Sequence, residues 1–155
     1  MENKRHVFID MDGTLTSFEN EFGKVDITPD RFTKEFFETR KPCWAMIETI
    51  HELFNENEWE YHILSNSPNS ESTLGKNIWL NKYFWVDKDN RHFLEANGNG
   101  YRQPKVNVIV DYCFEHDIPL RDVVFVDDEI KNLIDCEKVS IESWHTSKVL
   151  SKKMR

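Results

Sequence analysis

Val7-Phe8-Ile9-Asp10-Met11-Asp12-Gly13-Thr14 is the stretch that decides the fold. His6 to Ile9 is a short apolar run of β-branched and aromatic residues that closes on acids and a glycine, the pattern of a buried strand delivering carboxylates to a sheet edge. The same pattern returns twice. Trp59 to Leu64 reads as a strand ending in Ser65 and Asn66, and Val123 to Val126 as a buried strand ending in Asp127 and Asp128. His92 to Glu95 fits a further short strand.

Helical spacing fills the intervals. Thr28-Pro29 is a helix start, with Phe32 and Phe36 four apart on one face and Pro42 ending the helix near Arg40. Ala45, Met46, Ile50, Leu53 and Phe54 give a second helix to about Asn57. Leu74, Ile78 and Trp79 mark a third that ends at Tyr83-Phe84-Trp85. Val106, Ile109, Val110 and Cys113 form a fourth, and Ile130, Leu133 and Ile134 a short fifth. Asn97-Gly98-Asn99-Gly100 is a turn on composition alone. Strands alternating with helices predict an α/β protein, a Rossmann-like three-layer α/β/α sandwich with a mostly parallel sheet. Ligands of such sheets bind beyond the carboxyl ends of the strands.

Chain length supports one domain over residues 1–155, carrying a short helical lid at about 16–42. Twenty basic against 28 acidic residues give a net charge of −8, which argues against extended nucleic acid and anionic membrane as partners. Lys148, Lys152, Lys153 and Arg155 cluster in the tail, where a solvated, frayed terminus accounts for them. Cys43, Cys113 and Cys136 are widely spaced and odd in number, so buried free thiols are expected in place of a disulfide framework. With no apolar segment long enough for a signal peptide or a span, the expected location is the cytoplasm.

Three strand ends carry matching polar side chains, and parallel neighbours would bring them together. Asp10 and Asp12 are two apart, so near the end of an extended strand both carboxylates can point to one side. Singly, each acid is ordinary turn or cap chemistry. Clustered, Asp10, Asp12, Asp127 and Asp128 repel one another unless a hard cation neutralises them, which makes Mg²⁺ the natural cofactor. An EF-hand over Asp10 to Glu21 is a poor alternative, because Leu15 stands where that loop needs glycine.

The ordered set D-x-D-G-T, a strand-ending serine, a lysine opening a helix and V-F-V-D-D spans residues 7–128 and resembles the haloacid dehalogenase superfamily. The resemblance implies that Asp10 attacks phosphorus to form an aspartyl-phosphate and that Asp12 protonates the leaving alcohol and then activates water. It implies further that Ser65 and Lys105 hold phosphoryl oxygens, and that Asp127, supported by Asp128, completes an Mg²⁺ site with Asp10 and the backbone carbonyl of Asp12. The acid at Asp12 favours phosphoryl transfer, since the dehalogenases themselves lack it.

A finer resemblance lies in Lys76-Asn77-Ile78-Trp79-Leu80-Asn81-Lys82-Tyr83-Phe84, which is similar to the K-x-x-W-x-x-K-Y-F segment of the 5'(3')-deoxyribonucleotidases, or type C 5'-nucleotidases. By that match Phe18 lines a nucleobase pocket and Lys76 contacts phosphate, where Phe18 could equally be a core aromatic and Lys76 a solvated one. Two features depart from the family. The lid is shorter than usual, with Phe22, Phe32, Phe36, Phe37 and Trp44 as its candidate aromatics. Aligning Ser67-Pro68 with the family's pair puts Asn66 rather than Ser65 at the phosphate-binding position.

The expected activity is therefore Mg²⁺-dependent phosphomonoester hydrolysis of a small phosphorylated substrate, a nucleoside or deoxynucleoside monophosphate. The alternatives are an open-site phosphatase for polynucleotide ends or phosphoproteins, and a catalytically inactive binding module. A homo-oligomer in which a neighbouring subunit completes the short lid stays open.

Overall fold

Five segments become the strands of one fully parallel sheet in the computed structural model, which describes residues 3–25 and 32–152. They are β1 (Arg5–Ile9), β2 (Trp59–Ser67), β3 (Arg91–Glu95), β4 (Val123–Asp127) and β5 (Glu142–His145), in the spatial order β3-β2-β1-β4-β5. The helices are α1 (Lys34–Glu38), α2 (Trp44–Leu53), α3 (Ser70–Tyr83), α4 (Lys105–Glu115), α5 (Ile130–Glu137) and α6 (Thr146–Lys152). Among the described residues no helix is long and apolar enough to cross a membrane.

The strands alternate faces, so each feeds two cores. Val7, Ile9, Tyr61, Ile63, Val124 and Val126 pack on one face with Met46, Ile50, Trp79, Leu80 and Val149 from α2, α3 and α6. Phe8, Leu64, Leu94, Val123 and Phe125 pack on the other with Ile109, Cys113, Leu133 and Cys136 from α4 and α5. Burial on both faces explains why β1 and β4 read as unbroken apolar runs. From β1 the chain winds outward to β2 and β3, then returns to β4 and β5 on the other side. The reversal lies between β1 and β4, the place where a doubly wound sheet opens a crevice.

Several sequence expectations shift. The first helix begins at Lys34, capped by the Thr33 hydroxyl accepting from Phe36 N–H, while Thr28-Pro29 lies outside the described residues. The second helix ends at Leu53 and β2 runs on to Ser67. On α3 the inward face is Gly75, Lys76, Trp79 and Leu80, whereas Leu74 is exposed. Strand β5 and helix α6 were not anticipated. Lys148 and Lys152 stand on α6, with Lys148 4.1 Å from the centre of the Trp144 ring, so this part of the tail is ordered helix and not a frayed end. Lys153 and Arg155 lie outside the described residues. The Asn97–Gly100 turn forms as expected, its Asn97 side chain accepting from Asn99 and Tyr101 N–H. Cys113 and Cys136 are buried and Cys43 half-buried, all three free.

The segment between β1 and α2 leaves and rejoins the body at one seam. Thr16 bridges Pro42, Ser17 N–H donates to the Lys41 carbonyl at 2.9 Å, and Lys41 N–H donates to the Glu19 carbonyl at 3.0 Å. Helix α1 then lies against α3. A Cβ at Gly75 would collide with the Lys34 backbone carbonyl, so only glycine permits this approach. Trp79 Nε1 donates to the Arg40 carbonyl at 2.8 Å and fixes the end of α1 over the sheet edge.

Candidate active site

Strand β1 ends by handing Asp10 to the crevice, and the Asp10 N–H donates to the Val126 carbonyl at 2.9 Å, which seats it beside β4. The Asp10 carboxylate is nearly sealed from water. One oxygen accepts from Lys105 Nζ at 2.7 Å and the other from the Thr14 hydroxyl at 3.0 Å. Lys105, the first residue of α4, also donates to Asp127 Oδ2 at 2.9 Å. The other Asp127 oxygen accepts from Glu129 N–H at 2.9 Å, in the turn that leads into α5, and Asn132 Nδ2 donates to Oδ2 at 3.1 Å. Lys105 is therefore a buried charge clamped between two acids.

Burial pushes the Asp10 carboxyl well above the usual carboxylate range, with Lys105 opposing the shift and Asp127 adding to it. Burial alone would depress the Lys105 ammonium, yet the Asp10 and Asp127 carboxylates raise it. Asp128, partly exposed, is raised chiefly by burial. Carboxylate oxygens of Asp10, Asp127 and Asp128 lie within 4.8 Å of one another. One ammonium among three carboxylates leaves an excess of two negative charges, and the donors are all oxygen, so the set fits a hard divalent cation. Gly13 closes this corner. Its φ of +78° suits glycine, and a Cβ there would sit 2.5 Å from Asp128 Oδ2.

The Asp12 carboxylate is not part of that acidic trio. It turns the other way and accepts from Lys76 Nζ at 2.6 Å, so the expectation of Asp12 in the metal set does not extend to its side chain. Lys76 itself is fully buried, contrary to a solvated reading. It also donates to the Ser65 hydroxyl at 3.0 Å and to the Asn66 carbonyl at 2.6 Å. Ser65 and Asn66 thus both meet Lys76, Ser65 through its side chain and Asn66 through its backbone. The Asn66 Oδ1 atom is buried with no hydrogen-bond partner among the described residues, and its side chain borders the cleft beside Asp12.

That cleft, about 520 Å³, is mostly apolar and lies between Asp12 and the segment that carries α1. Phe18, Phe32, Phe36 and Phe37 line it together with Arg40 and Arg102. Phe18 is 57% exposed, so it is a wall of the cleft and not a core residue. Of the other candidate lid aromatics, Phe22 is exposed away from the cleft and Trp44 packs edge-on against Tyr83. Thr14, Asn132, Arg40 and Arg102 were not singled out from the sequence. A hydroxyl four residues beyond Asp10 and an amide five residues beyond Asp127 were local signals for the first two. Arg102 had none, because its place depends on the turn that follows β3. It donates to the Leu94 carbonyl at 2.9 Å.

No protein-family model matches the chain, and no curated protein matches it. Solved structures do. A protein from Listeria monocytogenes aligns over 91% of this chain and 77% of its own at 17% identity, with a TM-score of 0.61. A haloacid dehalogenase-like hydrolase from Streptococcus pneumoniae aligns over 90% and 83% at 12% identity and a TM-score of 0.57. A haloacid dehalogenase family enzyme from Bacteroides thetaiotaomicron, crystallised as an aspartate-to-alanine variant with magnesium and inorganic phosphate, aligns over 92% and 93% at 11% identity and a TM-score of 0.54. At these identities the likeness speaks for architecture, and the five-stranded parallel sheet with its crevice of acids at the β1/β4 reversal has the fold of the haloacid dehalogenase-like hydrolases.

Proposed function

We propose that this chain is a magnesium-dependent phosphomonoester hydrolase that works through an aspartyl-phosphate on Asp10 and takes nucleoside or deoxynucleoside monophosphates. One observation carries the reading: two acids on one strand end stand in opposite settings. Asp10 is sealed among Lys105, Asp127 and Asp128, while Asp12 faces the cleft on Lys76. A nucleophile needs the first setting and a proton carrier the second.

Asp10, Asp127 and Asp128 would hold the Mg²⁺ ion, which when bound screens the charge of the phosphoryl group. Asp10 attacks phosphorus, forming a carboxylate–phosphorus bond as the ester P–O bond breaks, and Asp12 gives its proton to the departing alcohol. Asp12 then takes a proton from water, whose oxygen attacks phosphorus, and the Asp10–phosphorus bond breaks to regenerate the enzyme. Thr14 and Lys105 hold the Asp10 carboxylate from both sides, and Lys76 holds Asp12. Lys105 and Ser65 take phosphoryl oxygens, joined by the Asn66 side chain through its amide N–H group, while the buried Asn66 amide oxygen can accept from a hydroxyl of the substrate.

The aromatic cleft beside Asp12 supports the nucleotide reading, since Phe18, Phe32 and Phe36 line it and give a base aromatic surface to pack on. Its exposed mouth at Phe18 and Phe32 is the one feature that favours the second reading, an end-phosphorylated oligonucleotide or a phosphopeptide. A panel of ribo- and deoxyribonucleoside monophosphates, a 3'-phosphorylated oligonucleotide and a phosphopeptide tests both. Phosphate release that requires Mg²⁺, is fastest with a mononucleotide and is lost in Asp10→Asn is expected. Release that survives chelator or that substitution sinks the mechanism, and faster turnover of the oligonucleotide or peptide replaces the substrate.

A further inference from the structure

Four of the six histidines gather on the opposite edge of the sheet from Asp10, around Tyr112. His6 is the second residue of β1, Glu60 and His62 belong to the start of β2, and His92 to the start of β3. Because His6 pairs with Glu60 and Phe8 with His62, the period-two alternation puts His6, Glu60 and His62 on the face covered by α4. Leu64 pairs with His92, which brings the fourth side chain onto the same face.

Three lone-pair atoms converge there. His6 Nδ1 lies 3.0 Å from His62 Nε2 and 3.1 Å from Glu60 Oε2, and the latter two are 3.9 Å apart. The edges of a tetrahedron around zinc with bonds of about 2.0–2.1 Å are about 3.4 Å, the middle of this range. Hydrogen bonding leaves the trio one proton short. His62 Nδ1 lies 3.2 Å from His92 Nε2, and donating there leaves its Nε2 a bare lone pair facing His6. The single His6 Nδ1–H must then serve both His62 Nε2 and Glu60 Oε2. A cation serves both, with the His6 proton moved to Nε2. Burial depresses all three imidazoles, that of His62 to about 2, so they are neutral and available as donors. A cleft of about 500 Å³, lined by His6, Glu60, Tyr112, His116 and Asp122, opens the position to solvent.

We propose that His6 Nδ1, His62 Nε2 and Glu60 Oε2 form a second metal site, selective for Zn²⁺ over Mg²⁺, with its fourth position open to this cleft. Two imidazoles and one carboxylate suit zinc, whereas Mg²⁺ demands an octahedron of oxygen. The His62–His92 contact supplies the outer hydrogen bond that orients a metal-bound imidazole. The site pins β1 to β2 and does not depend on what the Asp10 edge catalyses.

The test is calorimetric titration of the intact chain with Zn²⁺ in saturating Mg²⁺, repeated on Glu60→Gln, His6→Gln and Asp127→Asn, with Co²⁺ absorption reporting coordination. Expected are one Zn²⁺ per chain, a four-coordinate Co²⁺ spectrum, and affinity weakened by about tenfold or more in Glu60→Gln. The Glu60 side chain is 44% exposed, so that variant should melt like the parent in chelator. His6→Gln should weaken binding similarly and Asp127→Asn should not. No Zn²⁺ uptake against Mg²⁺, unchanged affinity in both Glu60→Gln and His6→Gln, or uptake lost only in Asp127→Asn overturns the proposal.

Discussion

Two buried lysines split the candidate site into halves that share one strand end. On the β4 side Lys105 is held between Asp10 and Asp127, both almost without solvent. On the β2 side Lys76 is just as buried, but its acid, Asp12, is 31% exposed and faces the cleft. The same pairing of ammonium and carboxylate therefore has different consequences. Where both partners are sealed, neither charge can be rehydrated if the other is lost, and the geometry is rigid. Where one partner meets solvent, the pair can open and exchange a proton with whatever occupies the cleft. Chemistry that needs a fixed nucleophile and a mobile proton is served by this asymmetry.

Substitutions that break the comparison should rank accordingly. If Asp10 is the nucleophile proposed, Asp10→Asn should reduce phosphate release by about 10⁴-fold or more, because an amide cannot form the aspartyl-phosphate. Asp12→Asn should cost about 10²–10⁴-fold, since proton transfer is lost while attack remains. In stability, measured by denaturant unfolding, Lys105→Met should cost about 3–5 kcal/mol by leaving two sealed carboxylates uncompensated. Lys76→Met should cost about 1–3 kcal/mol, because Asp12 can turn to water while Ser65 and the Asn66 carbonyl lose their donor. Equal losses from the two lysines would erase the distinction between the halves.

How much of this was legible follows the burial of each element. Strands β1 and β4 announced themselves because both faces are covered and the acids follow at once. Strand β5 did not, since Glu142-Ser143-Trp144-His145 lies at the sheet edge and carries no apolar run. Helix α3 misled for a physical reason. Its inward stripe contains Gly75 and Lys76, a close-packing residue and a buried charge, so apolar periodicity found Trp79 on the inward face but added the exposed Leu74 and the half-buried Ile78. The acids and Lys105 were readable as an ordered motif, whereas the pairing of Lys76 with Asp12 needed β2 and α3 brought together. Arg40 and Arg102 reach the cleft only through tertiary packing.

Smaller effects sharpen the same picture. Phe18→Ala should raise KM for a mononucleotide by about tenfold with kcat little changed, the loss of one ring contact of about 1.5 kcal/mol. An unchanged KM would remove the base from this cleft. Among the thiols, burial pushes Cys113 up to about 11 and Cys136 up to about 12, so at pH 8 iodoacetamide should label half-buried Cys43 in the native chain and leave the other two until unfolding. Mass mapping of the labelled peptides reads this directly.

The central claim is that Asp10 becomes phosphorylated in turnover. Acid quench during Mg²⁺-supported turnover of a phosphomonoester, followed by peptide mass mapping, should find a transient phosphoryl group on Asp10 that is absent in chelator and in Asp10→Asn. Steady phosphate release with no such adduct, or an adduct on another residue, would contradict the account.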